Sequence, residues 1–549
     1  MSSSSGTRVS SVCDPSHLTL RIKPYIQPFE RELAYKELKA LVGESGRIIA
    51  AEDDGRCFQV IGASVAADDL ADRLAYWEWV CSSDPIWTRQ IRREATANVV
   101  RNGGEPSELI TRLPFNSDSL PVPNHRCLRY GPHAIHEYRG RFFPQLVRAL
   151  LNCARIVPRS VVLDPMCGSG TTLVEAALAD CEAIGLDLNP LSILIAKTKC
   201  SILETSPGQI IGEYDRMREV LMTPVGRRHN AALPYLSSLP ARDQQYLSRW
   251  FAPDTLTDLD SIACIVHDMP PSAIRDLFLV CLSNILRSVS WQKTDDLRIR
   301  REVKPNDRTN AIAEYLSQLG RTVRSIVAFL AEERGEHRRG RWETIRGDAR
   351  EISRILEGRR GLVDVVITSP PYAMALPYLD TDRLSLSYLG LLSREWHRGT
   401  EAEMIGNREI TAGLRSRLWR EYRAAQSELP GEVCRVIDLV HDAYEKADVG
   451  FRRKNLPALL SKYFGDMAVV LNGVRGLMKP GGDVFVVVGD NHTMAGERRI
   501  DIETGRLMGI IGEAAGLEIV ESTPMDMLAP RGIFRKNSVA SERIIRFQA

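Results

Sequence analysis

No Cys-x-x-Cys pair and no compact Cys/His cluster occurs in this sequence, although it holds eleven cysteines. That spacing argues against zinc ribbons and fingers, whose ligands sit a few residues apart, and no metal is expected. An odd number of cysteines strewn along a long chain also argues against a disulfide framework, so a reducing, cytoplasmic setting is expected. No apolar run approaches the roughly 18 residues of a membrane span, which leaves no membrane partner to expect. The opening "MSSSSGTRVSSVCDPS" lacks the charged start and apolar core of a secretory signal, and residues 1–17 read as a disordered leader. Internal repeats and long low-complexity tracts are absent too.

A strong net charge is also missing: 72 basic residues oppose 70 acidic ones, for a net +2. The total therefore says nothing about polyanions, but the distribution is uneven. Between Arg287 and Arg360 stand 18 Lys/Arg against 12 Asp/Glu. Such an excess can neutralise phosphates, and a solvated helical face produces the same pattern.

What is present is ordinary globular composition, 44% hydrophobic and 26% charged, over 549 residues, a length that favours more than one domain. Residues 18–110 alternate strand-like runs ("LTLRIKPYI", "RIIAAEDDGRCFQVIGAS") with the helical "ERELAYKELKALVG", and read as a small α+β module. "NGGEPSE" and "LPFNSDSLPVPNH" follow as a linker. A helix is expected in "RFFPQLVRALLNCARI". Then come strand Val161–Leu163, a glycine-bearing turn, helix Thr171–Asp180 and strand Ala183–Leu186, a βαβ unit that implies a parallel sheet. Residues 201–339 are helical in pattern and read as an insertion. The α/β alternation resumes from residue 340, breaks for a polar helical stretch over about 380–455, and closes through "KYFGDMAVVLNGVRGL", the turn "MKPGG", the strand "DVFVVVGD", a helix "RLMGIIGEAAGLEIV" and the strand-like "ERIIRFQ". The expected fold class is α/β, a doubly wound sheet with two insertions.

The chemistry gathers where strands end. "LDPMCGSGTT" puts Gly168 and Gly170 between a strand and a helix, where backbone can approach a ligand and the helix presents free N–H groups. The loop has neither the lysine of a P-loop nor the spacing of GxGxxG. Its Asp164 would repel a pyrophosphate and suits an ammonium-bearing ligand such as S-adenosylmethionine. Asp187, in "GLDLNP" at the end of the next strand, stands where an acid can hold both ribose hydroxyls. Asp348 in "IRGDAR" can accept from an adenine amino group and cap the following helix at once. "DVVITSPPY" ends a strand in Ser369-Pro370-Pro371-Tyr372. The prolines stop the ladder and stiffen the exit. The Ser369 hydroxyl and the Pro370 carbonyl are then two rigid acceptors for an exocyclic amino group, and Tyr372 is a ring that can stack on an extruded base.

"DPMCGSGTT", "GLDLNP", "GDA" and "TSPPY", in that order, resemble the amino-methyltransferases that modify DNA. The serine form of the last motif looks most like the N4-cytosine-specific members, since adenine-N6 enzymes usually carry Asp or Asn there. The resemblance covers about residues 130–200 and 340–549. It implies a Rossmann-like methyltransferase sheet, with 201–339 a candidate target-recognition region and the insertion after Tyr372 an equal one. It also implies S-adenosyl-L-methionine as cofactor and double-stranded DNA as partner. Carried over, Asp164, Pro165, Gly168, Ser169, Gly170 and Thr171 wrap the methionine part, Asp187 holds the ribose and Asp348 the adenine. Ser369, Pro370, Pro371 and Tyr372 hold the target base. "HAIHEYRGRFFPQLVRALL" is similar to the segment that closes over the cofactor's carboxylate. "FERELAYKELKALVG" is similar to the start of tRNA guanine-N2 methyltransferases, which makes RNA the alternative partner. A non-catalytic nucleic-acid-binding role is a third reading, and the complete motif set speaks against it.

Overall fold

The computed structural model describes residues 17–51, 55–138, 142–223, 233–293, 300–303, 309–333, 338–373, 378–407, 410–424, 428–447, 450–526 and 541–549. The expected leader lies outside the described residues except for His17, which opens the first strand. Strands β1 (His17–Ile22), β2 (Arg47–Ala50), β3 (Cys57–Ile61), β4 (Trp77–Cys81) and β5 (Pro85–Trp87) form a sheet in the order β2-β3-β1-β4-β5, every neighbour antiparallel. Leu18, Leu20 and Ile22 alternate into the core, as a half-buried strand requires. They share that core with Leu33, Leu38 and Val42 of helix Pro28–Val42.

The second sheet is built from β6 (Val161–Asp164), β7 (Glu182–Asp187), β8 (Trp342–Arg346), β9 (Val363–Thr368) and β10 (Met478–Gly489). Strands β11 (Asn491–Ala495) and β12 (Arg498–Ile502) make a separate hairpin, and β13 (Glu518–Asp526) and β14 (Ser541–Gln548) complete the large sheet. Its order is β13-β14-β10-β9-β6-β7-β8. The run from β10 to β8 is parallel, and β14 lies antiparallel between β10 and β13. This is a Rossmann-like methyltransferase sheet.

The central strands are near-continuous apolar runs because both faces are covered. Val162, Val365 and Phe485 enter one core with the N-terminal sheet and helices Ala273–Leu286 and Ala311–Glu332. Val161, Leu163, Val366, Val484 and Val486 enter the other, against helix Leu456–Leu477. The chain runs from β6 out through β7 and β8, then returns past β6 to β9. Register pairs Leu163 with Val366 and Asp164 with Gly185, so β6, β7 and β9 finish at one edge. A crevice opens there, at the point where the strand order reverses.

Two details depart from expectation. "MKPGG" is not a free turn but the start of β10, whose register slips between Met478 and Asp483. The bulge leaves Pro480 outside the ladder, where its missing N–H costs nothing. The helix expected through "RLMGIIGEAAGLEIV" stops at Ala514. Gly516 takes a φ of +82°, and the β-branched tail of that stretch becomes β13.

Candidate active site

The glycine loop is braced from beneath. Asp164, at 2% exposure, accepts from Thr172 Oγ1 at 2.8 Å and from Met166 N–H at 3.2 Å. Burial pushes its carboxyl up to about 7, against the pull of those hydrogen bonds. Ser169 and Thr171 are buried too, and Lys199 Nζ donates to Ser169 Oγ at 3.0 Å. Gly168 and Gly170 have φ of +48° and +75°. A Cβ on Gly170 would stand 2.6 Å from Ala196 Cβ, and one on Gly168 3.1 Å from the Tyr138 ring. Only glycine lets the loop turn and pass under that ring.

Asp187 ties the loop to the next strand. Its Oδ2 accepts from Gly168 N–H at 2.9 Å and its Oδ1 from Asn189 N–H at 2.8 Å. Burial, partly offset by those two donors, pushes it up to about 6. Asp348 accepts from Arg350 N–H at 2.9 Å, as a helix cap, and pairs with the Arg350 guanidinium. Burial alone would raise this acid, and Arg350 outweighs it, holding the carboxyl below its usual range.

Arg350 escaped the sequence reading. Besides Asp348 it reaches Asp466 Oδ1 at 3.1 Å and the Glu403 carbonyl at 2.8 Å. Lys462 Nζ donates to the Met404 carbonyl at 3.4 Å. Two cations thus hang segment 403–405 over the crevice, and a Cβ on Gly406 (φ +75°) would press on Pro371 at 2.9 Å. The result is a cleft of about 630 Å³, partly open to solvent. Pro165, Gly168, Asp187, Asp348, Ser369 and Pro371 line it together with Tyr138, Met166, Leu188, Met404 and Ile405. Asp164, Ser169, Gly170 and Thr171 stand behind the lining as its support, and neither Pro370 nor Tyr372 is part of it. Tyr372 is half-buried and donates its hydroxyl to Glu542 of β14.

Residues 136–202 match the RMKL-like, methyltransferase domain. That stretch holds the glycine loop, Asp187 and the Tyr138 cover. The chain is 26% identical over 272 residues to the type II methyltransferase M.MvaI of Kocuria varians, covering 47% of this chain and 58% of that protein. It is 23% identical over 398 residues to the type II methyltransferase M.BsoBI of Geobacillus stearothermophilus, covering 66% and 74%. Over 50 residues it is 44% identical to the tRNA (guanine(10)-N2)-dimethyltransferase of Methanocaldococcus jannaschii, covering 9% and 14%.

A methyltransferase domain implies S-adenosylmethionine as cofactor, and the cleft fits it. Met166, Leu188, Met404 and Ile405 offer apolar walls for a purine, and acids end β7 and follow β8. No helix is long and apolar enough to cross a membrane, and no cluster of three metal-ligating side chains occurs, both among the described residues.

Arg350→Ala removes the tie between Asp348 and the 403–405 wall. Cofactor affinity is expected to fall roughly 10- to 100-fold, the loss of one or two charge-assisted hydrogen bonds. Titration calorimetry checks this, and unchanged affinity would show that the wall holds without the arginine.

Proposed function

We propose that this chain is an S-adenosylmethionine-dependent DNA methyltransferase that modifies the N4 amino group of cytosine. One observation carries the reading. Ser369-Pro370-Pro371 leaves β9 across the switch point from the glycine loop, and Ser369 and Pro371 open into the same cleft as Asp187 and Asp348. The two type II methyltransferase relatives support DNA as the substrate.

In this reading the bound cofactor supplies an electrophilic methyl group. Asp187 holds the ribose, Asp348 the adenine amino group, and the loop Asp164–Thr171, with Pro165 and Gly168 at its surface, the methionine part. Ser369 Oγ and the Pro370 carbonyl accept from the target amino group and turn its lone pair toward the cleft. Tyr372, its hydroxyl anchored on Glu542, offers a fixed ring to the extruded base. No strong general base is required. The amino proton becomes acidic only after the methyl arrives, and Ser369 can pass it to water. The helical regions 201–339 and about 380–455 are the candidates for reading the target sequence.

The test is mass spectrometry of nucleosides from DNA and from tRNA after incubation with protein and labelled cofactor. N4-methylcytosine in DNA is expected. N6-methyladenine would move the assignment of the target base away from the Ser369 argument. Label in tRNA guanine with none in DNA would overturn the substrate, and the short tRNA-enzyme match makes that arm necessary. Ser369→Ala is expected to lower kcat by about 100-fold or more while cofactor affinity survives, because the amino group loses its orientation. Equal loss of cofactor binding would place Ser369 with the cofactor instead.

A further inference from the structure

Helix Ala412–Ala424, "AGLRSRLWREYRA", has two unlike faces. Leu414 and Leu418 pack with Ile410, Ala458 and Leu459, Tyr422 is buried, and the Trp419 ring stacks on His441 at 4.2 Å. Those contacts dock the helix and hold it rigid. The opposite face carries Arg417, Arg420 and Arg423, all exposed. Like charges three residues apart destabilise a helix, and the acids nearby compensate little. Arg417 meets Glu421 at 3.5 Å with both side chains more than 60% exposed, and Arg423 meets Asp438 only at 3.8 Å. Arg420 Nε reaches just the Ser416 carbonyl of its own helix, at 3.4 Å. Each of the three guanidinium groups is therefore held only weakly and stays open to solvent.

The helix stands beside the cleft, since Tyr422 shares a core with Ile405 of the cleft wall. Helix Leu456–Leu477 leads into the amino end of β10, so its first turn, where Ala458 and Leu459 hold the basic helix, stands at the edge where the strands finish. A short segment joins Glu403–Gly406, the wall over the cleft, to the start of the basic helix, and Asn455 Nδ2 secures it at the Ile410 carbonyl at 3.1 Å. With a rise of about 1.5 Å per residue, the row from Arg417 to Arg423 is about 9 Å long. Phosphates along one strand of duplex DNA are close enough for such a row to meet two or three of them.

We propose that this face carries the sugar-phosphate backbone of duplex DNA beside the cleft, with Arg417, Arg420 and Arg423 as its phosphate contacts. The inference rests on the DNA reading above and adds to it the surface that holds the substrate.

The experiment is fluorescence anisotropy of a labelled duplex of arbitrary sequence, titrated with the full chain at several salt concentrations. Replacing the three arginines by glutamine should flatten the slope of log affinity against log salt by roughly 0.9 per lost contact. Cofactor affinity should stay unchanged. The triple lysine variant keeps the charges and should restore the slope, which separates charge from any folding defect. Wild-type duplex binding with the same slope in the glutamine variant overturns this inference and leaves the DNA reading standing. Wild-type protein that binds tRNA and no duplex overturns both.

Discussion

Asp187→Ala protein should bind S-adenosylmethionine at least about 100-fold more weakly than wild type, with the far-ultraviolet circular dichroism unchanged. The carboxylate holds both neighbouring turns, through Gly168 N–H at 2.9 Å and Asn189 N–H at 2.8 Å. Hydrogen bonds to a charged acceptor are worth about 1.5–3 kcal/mol each, and 100-fold in affinity is about 2.7 kcal/mol. In the proposed binding mode, losing the acid removes a ribose partner and lets the Gly168 turn drift. Asparagine is no rescue, since its Nδ2 would point a donor at one of two donors. The pH dependence has a definite sign. With the carboxyl pushed up to about 6 by burial, the cofactor-free protein gains stability as pH falls through 6, because a charge penalised by burial is neutralised. Asp164, at about 7, acts in the same direction. Cofactor affinity moves the other way, falling as Asp187 loses the charge that its donors need. Calorimetric affinity that stays flat between about pH 5 and pH 8 would remove Asp187 from the binding site.

The parts of this site that were legible in the sequence are those a strand end and the turn after it define alone. Gly168, Asp187, Asp348 and Ser369 each stand at or just after the end of a short strand, and a parallel sheet brings successive strand ends to one edge. What was illegible is the other wall. Arg350 joins Asp348 to Glu403 and to Asp466, across sequence gaps of 53 and 116 residues. Nothing local marks Glu403–Ile405, which lie in a polar stretch that reads as insertion. Arg350 itself had one signal, its place two residues after a strand-end acid. Asp164 shows the opposite limit. Its residue type and position suited an ammonium partner, but whether a side chain turns toward the ligand or beneath the loop is decided by Thr172 and Met166.

The fold divides along the same line. Alternating strands and helices announced the parallel strands, because each βαβ unit is a local pattern. The insertion of β14 between β10 and β13 is a pairing that no local pattern carries. β13 was hidden as well, since "GLEIV" reads as the continuation of a helix that Gly516 in fact ends. Least legible was a buried cluster at the helix after the glycine loop, where Arg93, His133, Arg148 and Glu175 meet from distant parts of the chain that no local pattern links.

That cluster sets the largest expected loss of stability. Glu175, on the helix that follows the glycine loop, has a side chain with no exposed surface. It accepts from Arg148 Nε at 3.1 Å, from Tyr130 at 3.2 Å, and pairs with His133 Nε2 at 2.8 Å. Arg93 stands 3.6 Å away and donates to Glu333, which follows helix Ala311–Glu332, at 2.7 and 3.0 Å. Glu175 thus ties the helix that presents the loop to the N-terminal module, and Arg93 carries the link on to Glu333 of the inserted region. Burial alone would raise the Glu175 carboxyl, but Arg148, His133 and Arg93 outweigh it and hold it well below the usual range. Glu333 is held down to about 2 by Arg93, again against burial. Glu175→Ala strands Arg148 without a carboxylate, and breaking one side of a buried pair costs about 3–5 kcal/mol. Against a total of roughly 5–15 kcal/mol, that is a large share. Urea unfolding should show it as a lower midpoint, and a Glu175→Leu, Arg148→Met pair should lose less than the single change, since no buried charge is left alone. Acid sensitivity follows with its own sign. Depressed carboxyls lend stability above their unfolded range near 4.3 and lose it as pH falls toward 2, so wild type should weaken over that window more steeply than the uncharged pair. Equal midpoints for Glu175→Ala and wild type would mean that the cluster is held by packing and not by its charges.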